Sequence, residues 1–172
     1  DRIYQTNFPD KIDNRDYVNT YEALIGMAEY ENTFGKHDIK AMVGASQDEN
    51  KNTNFIASRT NLVSPDVPNL NLGTANQLNS SSAGQWALQS VFGRLNYVLN
   101  SRYLVELNFR YDGSSRFAKD VRWEFFPSAS VGWRISEESF FQGLKNTFND
   151  VKIRASYGEL GNDKVGTEYA YL

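Results

Sequence analysis

Apolar and polar residues alternate with a period of two along three stretches of the chain. In YLVELNFRYDG, Val105, Leu107, Phe109 and Tyr111 alternate with Glu106, Asn108 and Arg110; this is the pattern of a strand whose successive side chains leave on opposite faces. RWEFFPSASVGWRI sets Trp123, Phe125, Pro127, Ala129, Val131, Trp133 and Ile135 against Glu124, Ser128, Ser130, Gly132 and Arg134, with Phe126 the exception. VKIRASYG sets Val151, Ile153, Ala155 and Tyr157 against Lys152, Arg154 and Ser156. Small residues dilute the same pattern in YEALIGMAEY and HDIKAMVGAS, and SVFGRLNYVL places Val91, Leu95, Tyr97 and Leu99 opposite Arg94 and Asn96. The pattern predicts six strands, at roughly 17–33, 37–50, 84–99, 102–113, 122–135 and 150–160.

The connections differ in length. Phe34-Gly35-Lys36 and Asn100-Ser101 read as tight hairpin turns,. Residues 51–83 hold seven of the 18 asparagines, Pro65, Pro68 and a serine run, and residues 114–121 are polar. Strands of 11 to 17 residues, against a usual length of about 5–6, with short turns at one end and long loops at the other, predict an all-β, antiparallel transmembrane β-barrel segment. On this plan 51–83 and 114–121 lie on the cell-surface side and 34–37, 100–101 and 136–149 in the periplasm. Residues 136–149 are the exception in length. They suit a turn of helix with Ser136 as N-cap and Glu137 and Glu138 in its first turn.

Free energy assigns the faces. A cation facing lipid near mid-bilayer costs about 2–4 kcal/mol, so the charged parity turns to a wet lumen: Glu106, Asn108, Arg110, Arg134, Lys152 and Arg154 inward. Val105, Leu107, Phe109, Val131, Trp133, Val151 and Ile153 then face outward. A soluble β-sandwich binding carbohydrate through aromatics displays the same alternation and is the alternative reading.

Composition narrows the chemistry. Among 172 residues there is no cysteine and one histidine, His37, which removes disulfide scaffolds, Cys/His zinc sites and histidine-dependent triads. A net charge of −3 leaves no footprint for nucleic acid,. Asp10, Asp13, Asn14 and Asp16 lack the order of an EF-hand loop and read as a solvated loop,. His37 reads as a turn residue. No catalytic constellation, cofactor or metal site is expected. Trp133, Tyr97 and Tyr103 suit an interfacial aromatic belt, and Trp86, nearer the long loop, is a candidate ligand or partner contact. Aromatics at 14% with a mean hydropathy of −0.57 pair rings with amides,.

From Phe92 to Tyr169 the chain also carries a resemblance. FGRLNYVLNSRYLVELNFRYDGSSRFAKDVRWEFFPSASVGWRISEESFF, followed by LKNTFNDVKIRASYGELGNDKVGTEYAYL, is similar to the barrel of the TonB-dependent outer-membrane transporters of the starch-utilisation C and RagA type. Ala118 and Glu124 depart from it where glycine is expected. The resemblance implies a 22-stranded barrel in the bacterial outer membrane, closed by an N-terminal plug and energised through the TonB complex. It further implies a surface lipoprotein partner of the starch-utilisation D type and import of glycan or peptide oligomers. Residues 1–172 are then part of the barrel domain, with plug and remaining strands outside them. Because proline lacks an amide donor, residues 51–83 are expected to be a surface loop for cargo or lipoprotein contact rather than an element of the fold.

Overall fold

Backbone pairing extends through more of the chain than the alternation does. The computed structural model describes residues 5–7, 10–64, 66, 67 and 69–163. Its strands are β1 (Gln5–Asn7), β2 (Lys11–Phe34), β3 (His37–Leu62), β4 (Gly73–Leu99), β5 (Tyr103–Ser114), β6 (Trp123–Arg134) and β7 (Lys152–Gly158). They form one antiparallel sheet in sequence order. The six strands β2 to β7 correspond to those expected, with β2, β3 and β4 longer and β7 shorter than expected, and β1, opposite Lys11 to Asp13, is an addition.

The expectation of a loop over 51–83 is overturned. β3 continues to Leu62 and β4 begins at Gly73, leaving residues 63–72 as the connection. A ladder needs only backbone N–H and C=O groups, so polar side chains on both faces erase the alternation without breaking the pairing. Asparagine also tolerates left-handed backbone, and Asn61 (φ 62°) and Asn76 (φ 49°) adopt it inside or at the end of these strands. Pro65 and Pro68, on which the loop expectation rested, lie outside the described residues. The acidic run is likewise no loop: Asp13, Asn14 and Asp16 sit in β2, with the Asp13 carboxylate 3.0 Å from Lys11 Nζ.

The chain divides into two units, Asp1–Glu22 with Glu49–Trp86, and Ala23–Asp48 with Ala87–Leu172. The first holds both buried apolar residues of the described chain, Ile12 (1% exposed) and Leu62 (8%). Its backbone is closed by Asn61 N–H donating to Asp10 O at 2.9 Å and Val63 N–H to Leu72 O at 2.9 Å. Asn69 caps the short 3-10 turn Leu70–Leu72 through its side-chain oxygen.

In the second unit the register is continuous from β4 to β7, with Leu95 opposite Leu107, Val105 opposite Val131 and Trp133 opposite Ile153. Gly35, at φ 63°, takes the first central position of the two-residue β2–β3 turn, the place a type II′ turn reserves for glycine. Asn100 (φ 54°) and Ser101 (φ 58°) occupy the centre of the β4–β5 turn, where a type I′ turn requires two positive φ values. Asn100 N–H donates to Lys36 O at 2.8 Å and Arg134 N–H to Arg102 O at 2.7 Å, which fastens these turns side by side.

The β6–β7 link forms two 3-10 turns, Ile135–Glu137 and Ser139–Leu144. Ser136 is not the N-cap expected of it. Fully buried, it sends its hydroxyl to Asp150 Oδ1 at 3.3 Å. Val151, expected on the outward parity, precedes β7 and accepts the Ser136 N–H.

Candidate functional site

The second unit distributes its side chains in the opposite sense to a soluble protein. Among its described residues the buried ones with side chains are Ser90, Ser114, Ser130, Ser136 and Glu138, whereas Leu107, Phe125, Val131 and Ile153 are exposed, the last two at 56% and 59%. Water alone would not leave so broad an apolar surface uncovered.

One face is apolar and aromatic. Phe109 stacks near Phe125 (6.2 Å between centroids, 23°) and Tyr111 on Trp123 (5.0 Å, 24°). Two glycines make room for rings from the neighbouring strand. A Cβ on Gly93 would stand 2.5 Å from Phe109, and one on Gly113 would stand 2.6 Å from Trp123. Trp123 and Trp133 end β6. Ten residues at about 3.4 Å each, tilted by about 40°, span about 25 Å, the height of the lipid-facing band of a barrel. Beside Trp133 stand Tyr103, its cross-strand partner, and further along the same end Tyr97, whose hydroxyl lies 2.7 Å from His37 Nδ1. His37 thus begins β3 and takes part in the aromatic rim rather than ending a bare turn.

The other face is a connected polar surface. Arg110 Nε donates to both oxygens of Asp112 at 2.7 Å and its Nη2 to Ser90 Oγ at 2.9 Å. Arg94 Nε donates to Asn108 Oδ1 at 2.8 Å, and Asn108 Nδ2 to Glu106 Oε1 at 3.1 Å and Ser128 Oγ at 3.3 Å. Arg154 reaches Ser130 Oγ at 3.0 Å and Glu106 at 3.6 Å. All of these but Ser90 line a concavity of about 1250 Å³ that also meets Glu124, Asp163, Phe117 and Phe126. Glu106, Asn108, Arg110 and Arg154 therefore share one surface. Arg134 is not among them: it donates to Ser101 O at 3.0 Å and stands 3.8 Å from Asp150, with Lys152 opposite it at the end of the sheet. Arg94, Asp112, Ser90 and Ser130 complete the surface and were legible by parity alone. Arg116, 3.0 Å from Asp163, has no such signal because 47 residues separate the pair.

Glu137 and Glu138 do not serve a helix dipole. Glu137 pairs with Lys145 at 3.2 Å. Glu138, 8% exposed, accepts from Tyr103 Oη at 2.8 Å and Trp133 Nε1 at 3.0 Å through one oxygen and from Arg102 Nη1 at 3.0 Å through the other. The tyrosine and indole donors, with Arg102 beside them, hold its carboxyl below the ordinary carboxylate range,.

In the first unit Trp86 is half-buried, with its ring centroid 6.3 Å from that of the exposed Tyr21. Asn50 donates to Asn19 at 3.0 Å, and Lys51 stands 2.8 Å from Glu49. Among the described residues no group of acids and histidine could hold a metal ion.

The family described as TonB dependent receptor-like, beta-barrel, matches residues 1–162. The chain is 49% identical over 85 residues to TonB-dependent receptor SusC of Bacteroides thetaiotaomicron, covering 49% of this chain and 8% of that protein. It is 38% identical over 143 residues to TonB-dependent receptor P26 of Formosa agariphila, covering 80% and 14%. In three dimensions it is similar to a chain of the RagAB peptide transporter, with a TM-score of 0.83, 26% identity and coverage of 92% of this chain and 18% of that one. It thus spans less than a fifth of the length of each.

Proposed function

The chain belongs to the TonB-dependent receptor β-barrel family, of SusC/RagA type, and from that membership we propose that it forms part of the wall of an outer-membrane transporter importing glycan or peptide oligomers. The family consists of transporters, not enzymes. The observation that carries the reading is the inverted burial of the second unit, serine and glycine covered and valine, isoleucine and phenylalanine exposed. Lipid is the medium that makes this arrangement favourable, and cations on that face would each cost about 2–4 kcal/mol.

The polar face then lines the lumen, with Glu106, Asn108, Arg110 and Arg154 offering donors and acceptors to a hydrated cargo, and Arg134 and Lys152 at its periplasmic end. Glycan cargo follows from the resemblance to the starch-utilisation C type, and peptide cargo is supported by the similarity to the RagAB peptide transporter. Coupling to the TonB complex and pairing with a surface lipoprotein of the starch-utilisation D type belong to the whole transporter. A soluble carbohydrate-binding sandwich needs a second sheet over the apolar face, and the described residues form one sheet.

Trp86, beside Tyr21, and the connection 63–72 are the contact surface for cargo or lipoprotein. In the complete transporter, deletion of 63–72 and Trp86→Ala should each leave heat-resistant migration of the barrel intact and lower uptake or lipoprotein co-purification. Unchanged uptake and co-purification in both variants would contradict that role.

A further inference from the structure

The link 135–151 closes one end of the second unit and leaves large apolar side chains in the open, Phe140 at 68% and Leu144 at 51% exposed. Its position is fixed. Glu138, at the entry to the turn Ser139–Leu144, binds Tyr103, Trp133 and Arg102 at 2.8 to 3.0 Å. Phe141 N–H donates to Glu138 O at 3.1 Å, and Phe148 N–H to Leu144 O at 2.9 Å. The segment is tied to the wall, yet its apolar groups are not tucked under it.

Where Phe140 points decides what covers it. Its ring stands edge-on to Trp133, centroids 6.5 Å apart at 66°, and Trp133 lies on the apolar face opposite Tyr103 and Ile153. Phe140 therefore prolongs that face beyond the last strand residue, and whatever medium wets Trp133 reaches Phe140. At a membrane interface the polar ends of tryptophan and tyrosine are ordinarily satisfied by water or headgroups. Here both donate to one carboxylate, which draws this end of the belt together and leaves Phe140, Leu144 and Phe148 as exposed apolar groups of the link beyond it.

We propose that Ser139–Leu144 is an interfacial anchor that seats Phe140 and Leu144 at the headgroup–acyl boundary of the periplasm-facing phospholipid leaflet. The proposal rests on the assignment of the apolar face to lipid and extends it to a segment outside the strands. A short 3-10 segment at that boundary is stabilised by apolar burial, and the Glu138 contacts hold it at the depth of Trp133.

The test uses the complete transporter in phospholipid nanodiscs, with single cysteines carrying an environment-sensitive fluorophore at 140, 144, 153 or 106 and nitroxide-labelled lipids as quencher. Ile153 and Glu106 report the assignment of the faces separately: quenching at 153 and not at 106 upholds it. Given that, blue-shifted emission at both 140 and 144, with a loss of fluorescence comparable to that at 153, is the expected result. Water-like emission at either position overturns the anchor, and blue-shifted emission without quenching overturns it in favour of a protein surface covering the segment. Quenching at 106 in place of 153 overturns both readings.

Discussion

The unit made of Asp1–Glu22 and Glu49–Trp86 encloses Ile12 and Leu62 and carries asparagine, serine and threonine along its strands. The unit made of Ala23–Asp48 and Ala87–Leu172 encloses serines and a glutamate and leaves valine, phenylalanine and isoleucine uncovered. Both are antiparallel ladders. What differs is the medium each suits on the proposed reading: the first has a small apolar centre of its own,, whereas the second has none among its described residues, and its apolar face is favourable once lipid covers it. Alternation along a strand therefore reports its surroundings, and the ladder itself needs none.

A charge placed in each unit separates them most strongly. Leu107→Arg or Val131→Arg in the complete transporter should cost about 2–4 kcal/mol and reduce the heat-resistant, folded fraction on gels. Leu78→Arg, at a position 66% exposed in β4 of the first unit, should stay within about 0.5 kcal/mol. Equal losses at Leu78 and Leu107 would erase the distinction.

Packing on the apolar face gives the next effect. Gly93→Val drives branched carbon into the Phe109 ring, whose nearest atom already lies 2.5 Å from an added Cβ, and should cost about 1–3 kcal/mol in urea unfolding. Gly26→Ala meets nothing within 4 Å and should be neutral.

These contrasts bear on how far the sequence could be read. Leu107, Phe109, Glu106 and Arg110 announced β5 and both of its faces, because a strand with one apolar and one polar face must alternate strictly. Residues 51–62 and 73–83 announced nothing, since polar side chains on both faces carry no parity; their asparagines imitate a loop. The polar surface was half legible: Glu106, Asn108, Arg110 and Arg154 follow from parity, whereas Arg116 with Asp163 is set by the fold's long-range register. Glu138 was misread because adjacent acids suit a helix start, and its donors, Tyr103 and Trp133, come from other strands.

Smaller effects follow at the ends of the strands. Glu138 has a lowered folded pKa, so its contribution is present above the unfolded value of about 4.3 and is lost as pH falls through the folded one. Proteolysis within 139–148 should rise on acidification below about pH 4, and Glu138→Gln should raise it at neutral pH and remove the pH dependence. A steep acid response persisting in Glu138→Gln would assign it elsewhere. In the first unit Asn61→Ala, at φ 62°, should cost about 1 kcal/mol and speed amide exchange near the end of β3, while Asn61→Gly should not.

The assignment of faces is tested most directly by spin labels at positions 105 to 110 of β5 in the complete transporter in lipid bilayers. Collision rates are read against oxygen, which concentrates in lipid, and a nickel chelate confined to water. Oxygen should dominate at 105, 107 and 109, and not at 106, 108 and 110, with a period of two. Oxygen dominating at 106, 108 and 110, or no alternation along β5, would contradict the account.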